Sequence, residues 1–371
     1  HLPSFVQWIT HRTPDGGWRW RKWLAPGWML WLLIASIAYR WFKIRLLPSS
    51  PRRASLMNHY YDADLIVAFG GGYLYARHSF NIAFLWIWLG MALGIIMNKP
   101  LILLPQSFGP VQGKFQRKLL CWLVERSRVA IAREQESVTF LQAIGVQKTV
   151  PLLPDLAFST SESAAEEIEA VLAPYWGDID PERPVIGMTL MDWGAQNPNF
   201  AHQENYEQSI MELIAHVQTV YAAQIVVFIQ CFGPTKDQDD RWIARQIAQK
   251  AGSSIIVIDT PLTPNLLKAA YRRLDALVAT RMHSAIFALS VETPTLVIGY
   301  LHKSKGIMKM VGLSDYILDI NAVQPMKLIQ QFDNLWLHRI EITDKIHECI
   351  PLIQQHLLEI IPLLRSNYKI S

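Results

Sequence analysis

Arg281 and His283 stand two residues apart in Thr280-Arg281-Met282-His283-Ser284, directly after the apolar run Ala276 to Ala279. That pattern reads as a strand passing into a helix. Backbone N–H groups at a helix start attract anions. Side chains two apart do not share a helix face, but in the first turn both can reach a ligand above the helix end. Lys303 comes after a second apolar run, Thr295 to Gly299, and Tyr300. A guanidinium, an ammonium and an imidazole at neighbouring strand ends suit a small polyanion. A lone histidine is more often a satisfied interior side chain than a catalyst, so the weight rests on the Arg281 pairing and its position.

Other polar residues also stand after apolar runs. Gly70-Gly71-Gly72 comes after Asp64 to Phe69, and Gln106-Ser107-Phe108-Gly109-Pro110 after Leu101 to Leu104. Arg133-Glu134, with Ser137 one turn on, comes after Val129 to Ala132, and Pro154-Asp155 after Thr149 to Leu153. Each has a bland reading. Glycine is the default turn residue, and Arg133 with Glu134 could be an ordinary ion pair. Acids, histidines and cysteines do not converge at metal-ligand spacings, so no metal and no resident cofactor is expected.

These residues need elements to position them. From Asp62 onward, short apolar runs alternate with helical patterns, which is the signature of parallel βαβ units. Strands are expected at 64–69, 101–104, 129–132 and 149–153, with helices at 114–128, 135–144 and 159–173. Phe80 to Met97 carries no charge and could pass as a membrane span. Flanking strand signals make it a largely buried crossover helix instead. A second series has strands at 185–190, 224–230, 255–259, 276–279 and 295–299, with helices near 204–221, 239–251, 265–273 and 283–290, and 326–370 is mostly helical. The division is therefore 1–60, a basic Trp-rich segment; 61–178, a first α/β domain; 179–345, a second; and 346–371, a C-terminal helix. The boundary falls in Pro174 to Pro184. Ligands of open parallel sheets bind beyond the carboxyl ends of the strands. A cleft between two such edges is the expected site.

In this order and spacing the motifs resemble a family, the polysaccharide pyruvyl transferases. The resemblance rests on Asp64 to Gly72, Gln106 to Pro110, Arg133-Glu-Gln-Glu-Ser137 with Gly145-Val146, and Pro154-Asp155. It rests most on Arg281-Met-His283, Ala288, Thr293-Pro294 and Tyr300-Leu-His-Lys303. It implies two Rossmann-like domains in a GT-B-like arrangement, the first on the acceptor side and the second on the donor side. It also implies transfer of pyruvate from phosphoenolpyruvate onto two hydroxyls of a sugar or lipid-linked glycan, forming a ketal. Arg281 and His283 match the family's donor-binding Arg-x-His. On this basis Arg281 and Lys303 would neutralise the donor, and His283 would deliver the proton to its methylene carbon. Gly70, Gly71, Gly72, Gln106, Ser107 and Arg133 would contact substrate. Asp192 and Asp64 are candidate bases. The sequence departs from the family in lacking its opening Asn-x-Gly-Asp loop, and Glu134 stands where an aspartate is usual.

Two rival functions share some of these features. Glycosyltransferases of similar architecture often carry two glutamates separated by seven residues near the donor site. Glu204 and Glu212 have that spacing, but on a helix that reads as a solvated face. A non-catalytic glycan-binding protein is the other rival.

Composition narrows the classes further. The chain has 371 residues, 51% of them hydrophobic and only 18% charged, which excludes a disordered chain. A net charge of +4 is too mild for a nucleic-acid binder. Three scattered cysteines, Cys121, Cys231 and Cys349, argue against a disulfide framework and fit a reduced, cytoplasmic setting. The charge is uneven. Residues 1–60 hold nine Lys or Arg, one acid and seven of the fourteen tryptophans, a net of +8 against −4 for the rest. Leu24 to Tyr39 is uncharged but only sixteen residues long and is interrupted by Pro26 and Gly27, short of the roughly 20 residues a span needs. The segment reads either as a peripheral membrane helix at the inner face of the membrane or as a helix docked on the first domain.

Overall fold

The computed structural model describes residues 21–367, apart from 77, 178, 198, 234, 253, 254 and 301. Residues 1–20, with Trp8, Trp18 and Trp20, lie outside the described part. The chain divides into two units, His1–Asp155 with Leu358–Ser371, and Leu156–Leu357.

The first unit opens with α1 (Arg21–Phe42) and α2 (Pro51–Asp62). Strand β1 (Ile66–Ala68) and the short β2 (Leu74–Ala76) come next, then α3 (Ile82–Ile96), β3 (Leu101–Gln106), β4 (Phe108–Val111), α4 (Lys114–Arg126), β5 (Val129–Ala132) and α5 (Gln135–Ala143). β1, β3 and β5 form a parallel sheet in that order, and β2 pairs with β4 in a separate ribbon. The uncharged α3 is a crossover helix, as expected, and its lack of a polar face has a cause. Phe84, Leu85, Met91 and Ala92 pack in the core beneath the sheet. Trp86, Leu89, Leu93 and Met97 pack instead with Leu32 and Ala35 of α1 and with Met57 and Tyr61 of α2. Gly94 has no side chain because a Cβ there would lie 2.7 Å from Cγ1 of Ile66 on β1.

The strand expected at 149–153 is reduced to one parallel bridge between Leu152 and Ala132. Pro151 supplies no ladder N–H and breaks the run. The three-residue β2 and the adjoining β4 were not anticipated, because such short pieces carry no alternation to read.

The second unit begins with α6 (Ala165–Trp176), then β6 (Val185–Thr189), α7 (Trp193–Gln196), α8 (Gln203–Val220), β7 (Gln224–Phe228), α9 (Arg241–Ala251), β8 (Ile255–Ile258), α10 (Pro264–Tyr271), β9 (Ala276–Ala279), α11 (Met282–Leu289) and β10 (Thr295–Gly299). It continues through α12 (His302–Met310), β11 (Ile317–Asp319), α13 (Pro325–Leu337) and α14 (Arg339–Leu358); α15 (Ile360–Asn367) falls in the first unit. The sheet is wholly parallel, with order β11-β10-β9-β6-β7-β8. Counted along this unit, that is the doubly wound 3-2-1-4-5-6 order of a Rossmann fold. β11 is a sixth strand beyond the five expected.

The division at Asp155 precedes the expected boundary in 174–184. Pro174 does not mark a linker; it sits in the last turn of α6. Ile168 and Leu172 of that helix are buried in the second unit's core, and the helix packs on α10.

Candidate active site

In a 3-2-1-4-5-6 sheet the strand order reverses between its first and fourth strands, here β6 and β9. The gap beyond their carboxyl ends is where such sheets hold ligands. Arg281 sits at this switch point. The Thr280 N–H donates to the Thr189 carbonyl at 3.2 Å, and the Arg281 N–H approaches Oγ1 of Thr189 at 3.5 Å. Arg281 is the N-cap residue of α11, so the residues after it open the helix as the sequence predicts. His283 is exposed in that first turn, its ring tilted over Phe287 at 6.3 Å between centroids. Lys303, half-buried, stands in the first turn of α12 after the neighbouring strand β10. Arg281, His283 and Lys303 thus share the carboxyl edge of two adjacent parallel strands.

Arg281 is not a bare cation. Its Nε donates to Oδ2 of Asp240 at 3.1 Å, and its Nη2 donates to Oδ1 of the same carboxylate. Asp240 is buried and also accepts from the Cys231 N–H at 3.0 Å. Burial works to release the Arg281 proton, but the Asp240 carboxylate outweighs it and raises the guanidinium pKa. Burial pushes the Asp240 carboxyl above its ordinary range, with Arg281 pulling it back. The direct two-point contact favours the ionised pair. Tyr300 lies against the same guanidinium. Its hydroxyl pKa is raised by burial while Arg281 lowers it, and its ring lies tilted against Trp193 at 4.5 Å between centroids.

Behind this edge lie two groups of hydrogen bonds. Gln230 Oε1 accepts from Ser284 at 2.7 Å and from the Tyr271 hydroxyl at 3.2 Å. The Tyr206 hydroxyl meets Thr280 Oγ1 at 2.8 Å. These bonds fix the strand ends and the first turn of α11.

Asp240 was missed by sequence reasoning. It lies beyond β7, at the same sheet edge, but a loop and a short 3-10 turn separate it from the strand. Its one signal was the acidic cluster Asp237, Asp239 and Asp240.

The candidate bases fare differently from Arg281. Asp192 lies after β6 at the right edge, but its Oδ1 accepts from the Ala195 N–H at 2.8 Å and caps α7. Asp64 precedes β1, whereas Gly70 to Gly72 come after it. Because β1, β3 and β5 run parallel, Asp64 is at the amino edge of the sheet, opposite the residues it was grouped with. This corrects its assignment as a base.

In the first unit, Ser107, Arg133, Glu134, Ser137 and Asp155 form one buried network. Arg133 Nε donates to Ser107 Oγ at 2.9 Å, and its Nη1 pairs with Asp155. Ser107 Oγ donates to Glu134 Oε2 at 3.0 Å, and Ser137 Oγ donates to Oε1 of the same carboxylate. The Phe108 N–H donates to Ser137 Oγ at 2.7 Å. Arg133 is therefore chiefly a bracket between β3, β5 and the 155 segment. The glycine loop also packs. A Cβ at Gly70 would lie 2.3 Å from the Pro105 carbonyl oxygen, and the Gly71 carbonyl accepts from the Ser107 N–H at 2.9 Å. Gly72 completes the loop, half-buried. Three polar atoms are left over. Both amide atoms of Gln106 and Nη2 of Arg133 are buried without a hydrogen-bond partner among the described residues. Each such atom costs about 1–3 kcal/mol unless something polar meets it.

The family model for polysaccharide pyruvyl transferases matches residues 9–302. The chain belongs to the polysaccharide pyruvyl transferase family. The match takes in Arg281 and His283 and stops one residue short of Lys303. It also reaches back into the basic Trp-rich segment, ahead of Asp64, where the sequence motifs begin.

Among curated proteins, the amylovoran biosynthesis protein AmsJ of Erwinia amylovora is 24% identical over 266 residues, 69% of this chain and 62% of that protein. The chain thus spans less than two thirds of that relative. Several solved structures are similar in fold. Sucrose-phosphate synthase from Thermosynechococcus elongatus has a TM-score of 0.55 at 13% identity, covering 86% of this chain and 77% of its own. UDP-GlcNAc 2-epimerase from Methanocaldococcus jannaschii gives 0.53 at 12%, covering 88% and 77%. Anabaena HepE, in complex with UDP-glucose, gives 0.52 at 13%, covering 92% and 96%. These likenesses show the fold, two Rossmann-like units of the GT-B-like class. A fold of this kind hosts many chemistries, so the family membership and the site carry the function.

Proposed function

We propose that this chain transfers pyruvate from phosphoenolpyruvate onto two hydroxyls of a sugar in a polysaccharide or lipid-linked glycan precursor. The product is a ketal and the by-product inorganic phosphate. The observation that carries this reading is the position of Arg281-Met282-His283, within a chain of this family, at the switch point of the second unit's sheet. An anionic donor suits that place, because the first-turn N–H groups of α11 and the nearby Lys303 favour negative charge.

The chemistry assigns roles in order. His283 donates a proton to the methylene carbon of the donor, since an imidazole can hold and give up a proton near neutral pH. The first sugar hydroxyl then attacks the central carbon and loses its proton. The C–O bond to phosphate breaks, the phosphate takes up that proton and leaves as the hydrogen phosphate dianion, and Lys303 and Arg281 stabilise it. The second hydroxyl closes the ketal at the same carbon, and its proton returns to the His283 imidazole. Asp240 holds Arg281 by its Nε and Nη2 edge, so Arg281 meets the donor in a fixed orientation. The buried network of Arg133, Ser107 and Glu134, with the unsatisfied amide of Gln106, supports a polar ligand at the first unit's sheet edge. The sugar is the candidate there.

The test is turnover of phosphoenolpyruvate with candidate lipid-linked sugars, read as released phosphate and as a mass gain on the sugar. His283→Gln should leave donor affinity within a few fold and lower turnover about 100- to 10,000-fold. Turnover near that of the unsubstituted protein would remove the acid role. Binding and transfer of a nucleotide sugar, with no use of phosphoenolpyruvate, would assign the chain to the glycosyltransferases instead. Binding of sugar with no turnover of any donor would make it a glycan-binding protein. The exposed Glu204, and Glu212 accepting from Gln208 at 2.7 Å on the same helix, give the glycosyltransferase reading no donor-site pair.

A further inference from the structure

α1 carries apolar side chains on two opposite faces. One carries Leu32 and Ala35, buried against Trp86, Leu89 and Leu93 of α3. The other carries Leu30, Ile34, Ile37 and Trp41, which are 58%, 51%, 48% and 71% exposed. Their spacing of four, three and four residues sets them in one stripe along the helix. The helix is therefore apolar on the side it docks and apolar again on the side it turns outward. Phe42, the last residue of the helix and 73% exposed, and Ile44 beyond it, 51% exposed, extend this apolar surface.

The charges of this stretch are nearly all positive. Residues 21–62 contain seven Lys or Arg and a single acid, Asp62. That acid pairs with Arg45 at 2.7 Å. Arg40 and Lys43 are at the end of the stripe, Arg40 lying over the Trp41 ring at 5.7 Å and the exposed Lys43 over Tyr39 at 5.1 Å. Two copies of this chain meeting through the stripe would bring equal positive charges together. A surface that offers apolar depth and negative charge complements both features. Among the described residues no helix is long and apolar enough to cross a membrane, so the stripe suits a helix lying in the interface plane. Tryptophan beside arginine at the helix end is the composition of that interface.

We propose that α1 docks this protein on an anionic lipid surface, with Leu30, Ile34, Ile37 and Trp41 inserted and Arg40 and Lys43 at headgroup level. The docking goes beyond the transferase activity and stands independently of it. The same helix keeps its other face on α3, so docking requires no unfolding of the first unit.

Flotation of the full chain on vesicles is the test. On vesicles rich in phosphatidylglycerol at low salt the chain should float. Binding should fall at least tenfold on pure phosphatidylcholine, and also at about 1 M salt, where the Debye length is near 3 Å. Ile34→Asp with Trp41→Asp should lower binding to anionic vesicles at least tenfold with unchanged thermal melting, since both side chains already face water. Arg40→Gln with Lys43→Gln should flatten the salt dependence while leaving the melt unchanged. Absence of the unsubstituted chain from anionic vesicles overturns the proposal. So does undiminished flotation of the Ile34→Asp, Trp41→Asp chain. A dimer in sedimentation, dissolved by that same pair of substitutions, would give the stripe to a second copy and also overturns it. Flotation requires no turnover, so its outcome and that of the phosphate-release assay are read separately.

Discussion

The carboxylate of Asp240 decides how Arg281 can act. An arginine held by two hydrogen bonds loses freedom of reach and gains a fixed angle. Removing one partner of a buried pair leaves the other charge uncompensated, which costs about 3–5 kcal/mol. Arg281→Ala should therefore lose thermal stability as well as donor affinity. The double substitution Arg281→Ala, Asp240→Ala should regain part of the stability and none of the activity. Thermal melting of the four proteins of this cycle, beside donor binding, checks it. A double variant no more stable than Arg281→Ala would show that the pair is not what holds this edge. Arg281 and His283 were legible because both stand next to a strand end, where the sequence places the site. Asp240 was not, since its side chain reaches the switch point across a loop whose course no periodicity encodes. Asp64 misled for a different reason: it opens the run 64–69, so the carboxyl-edge rule already placed it at the far end of β1 from the glycine loop.

The start of the second unit is tied down by charge. Arg272, just past α10, donates from Nε and Nη2 to the two oxygens of Glu162, at 2.7 and 2.6 Å. That two-point contact is the main cause of the lowered Glu162 pKa, with burial opposing it. A carboxylate whose folded pKa is depressed contributes stability above its ordinary value of 4.5, and the contribution is lost as pH falls through the lower folded value. Glu162→Gln should then melt below the parent at pH 7 by the equivalent of about 0.5–1 kcal/mol, discounted for partial exposure. The two should converge in acid, as pH drops below the depressed value, and thermal melts across that range check it. The core strands of this unit were plain from the sequence, because a fully buried parallel strand is a continuous apolar run. α6 was visible too, but its allegiance was not. Only the burial of Ile168 and Leu172 shows that this helix, with a proline in its last turn, belongs to the second unit and not to the first.

Each unit has its own core. That of the second runs from Phe158 to Leu357, and those of the first lie beneath the sheet and between α1, α2 and α3. Calorimetry should resolve two transitions. Gly94→Val, which forces a side chain onto Ile66, should lower only the first unit's transition, by about 1–3 kcal/mol of overpacking. A single transition that moves as a whole would show the cores to be thermodynamically one.

The sharing of α3 between the sheet and α1 bears on how this protein can be handled. Trimming away the basic, tryptophan-rich start is the obvious way to a better-behaved preparation. Yet cutting away α1 would strip the cover that Leu32 and Ala35 give to Trp86, Leu89 and Leu93. A patch of that kind drives chains to associate. The shortened protein should collect in inclusion bodies, and tags or detergents that leave α1 in place are the better route to a well-dispersed sample.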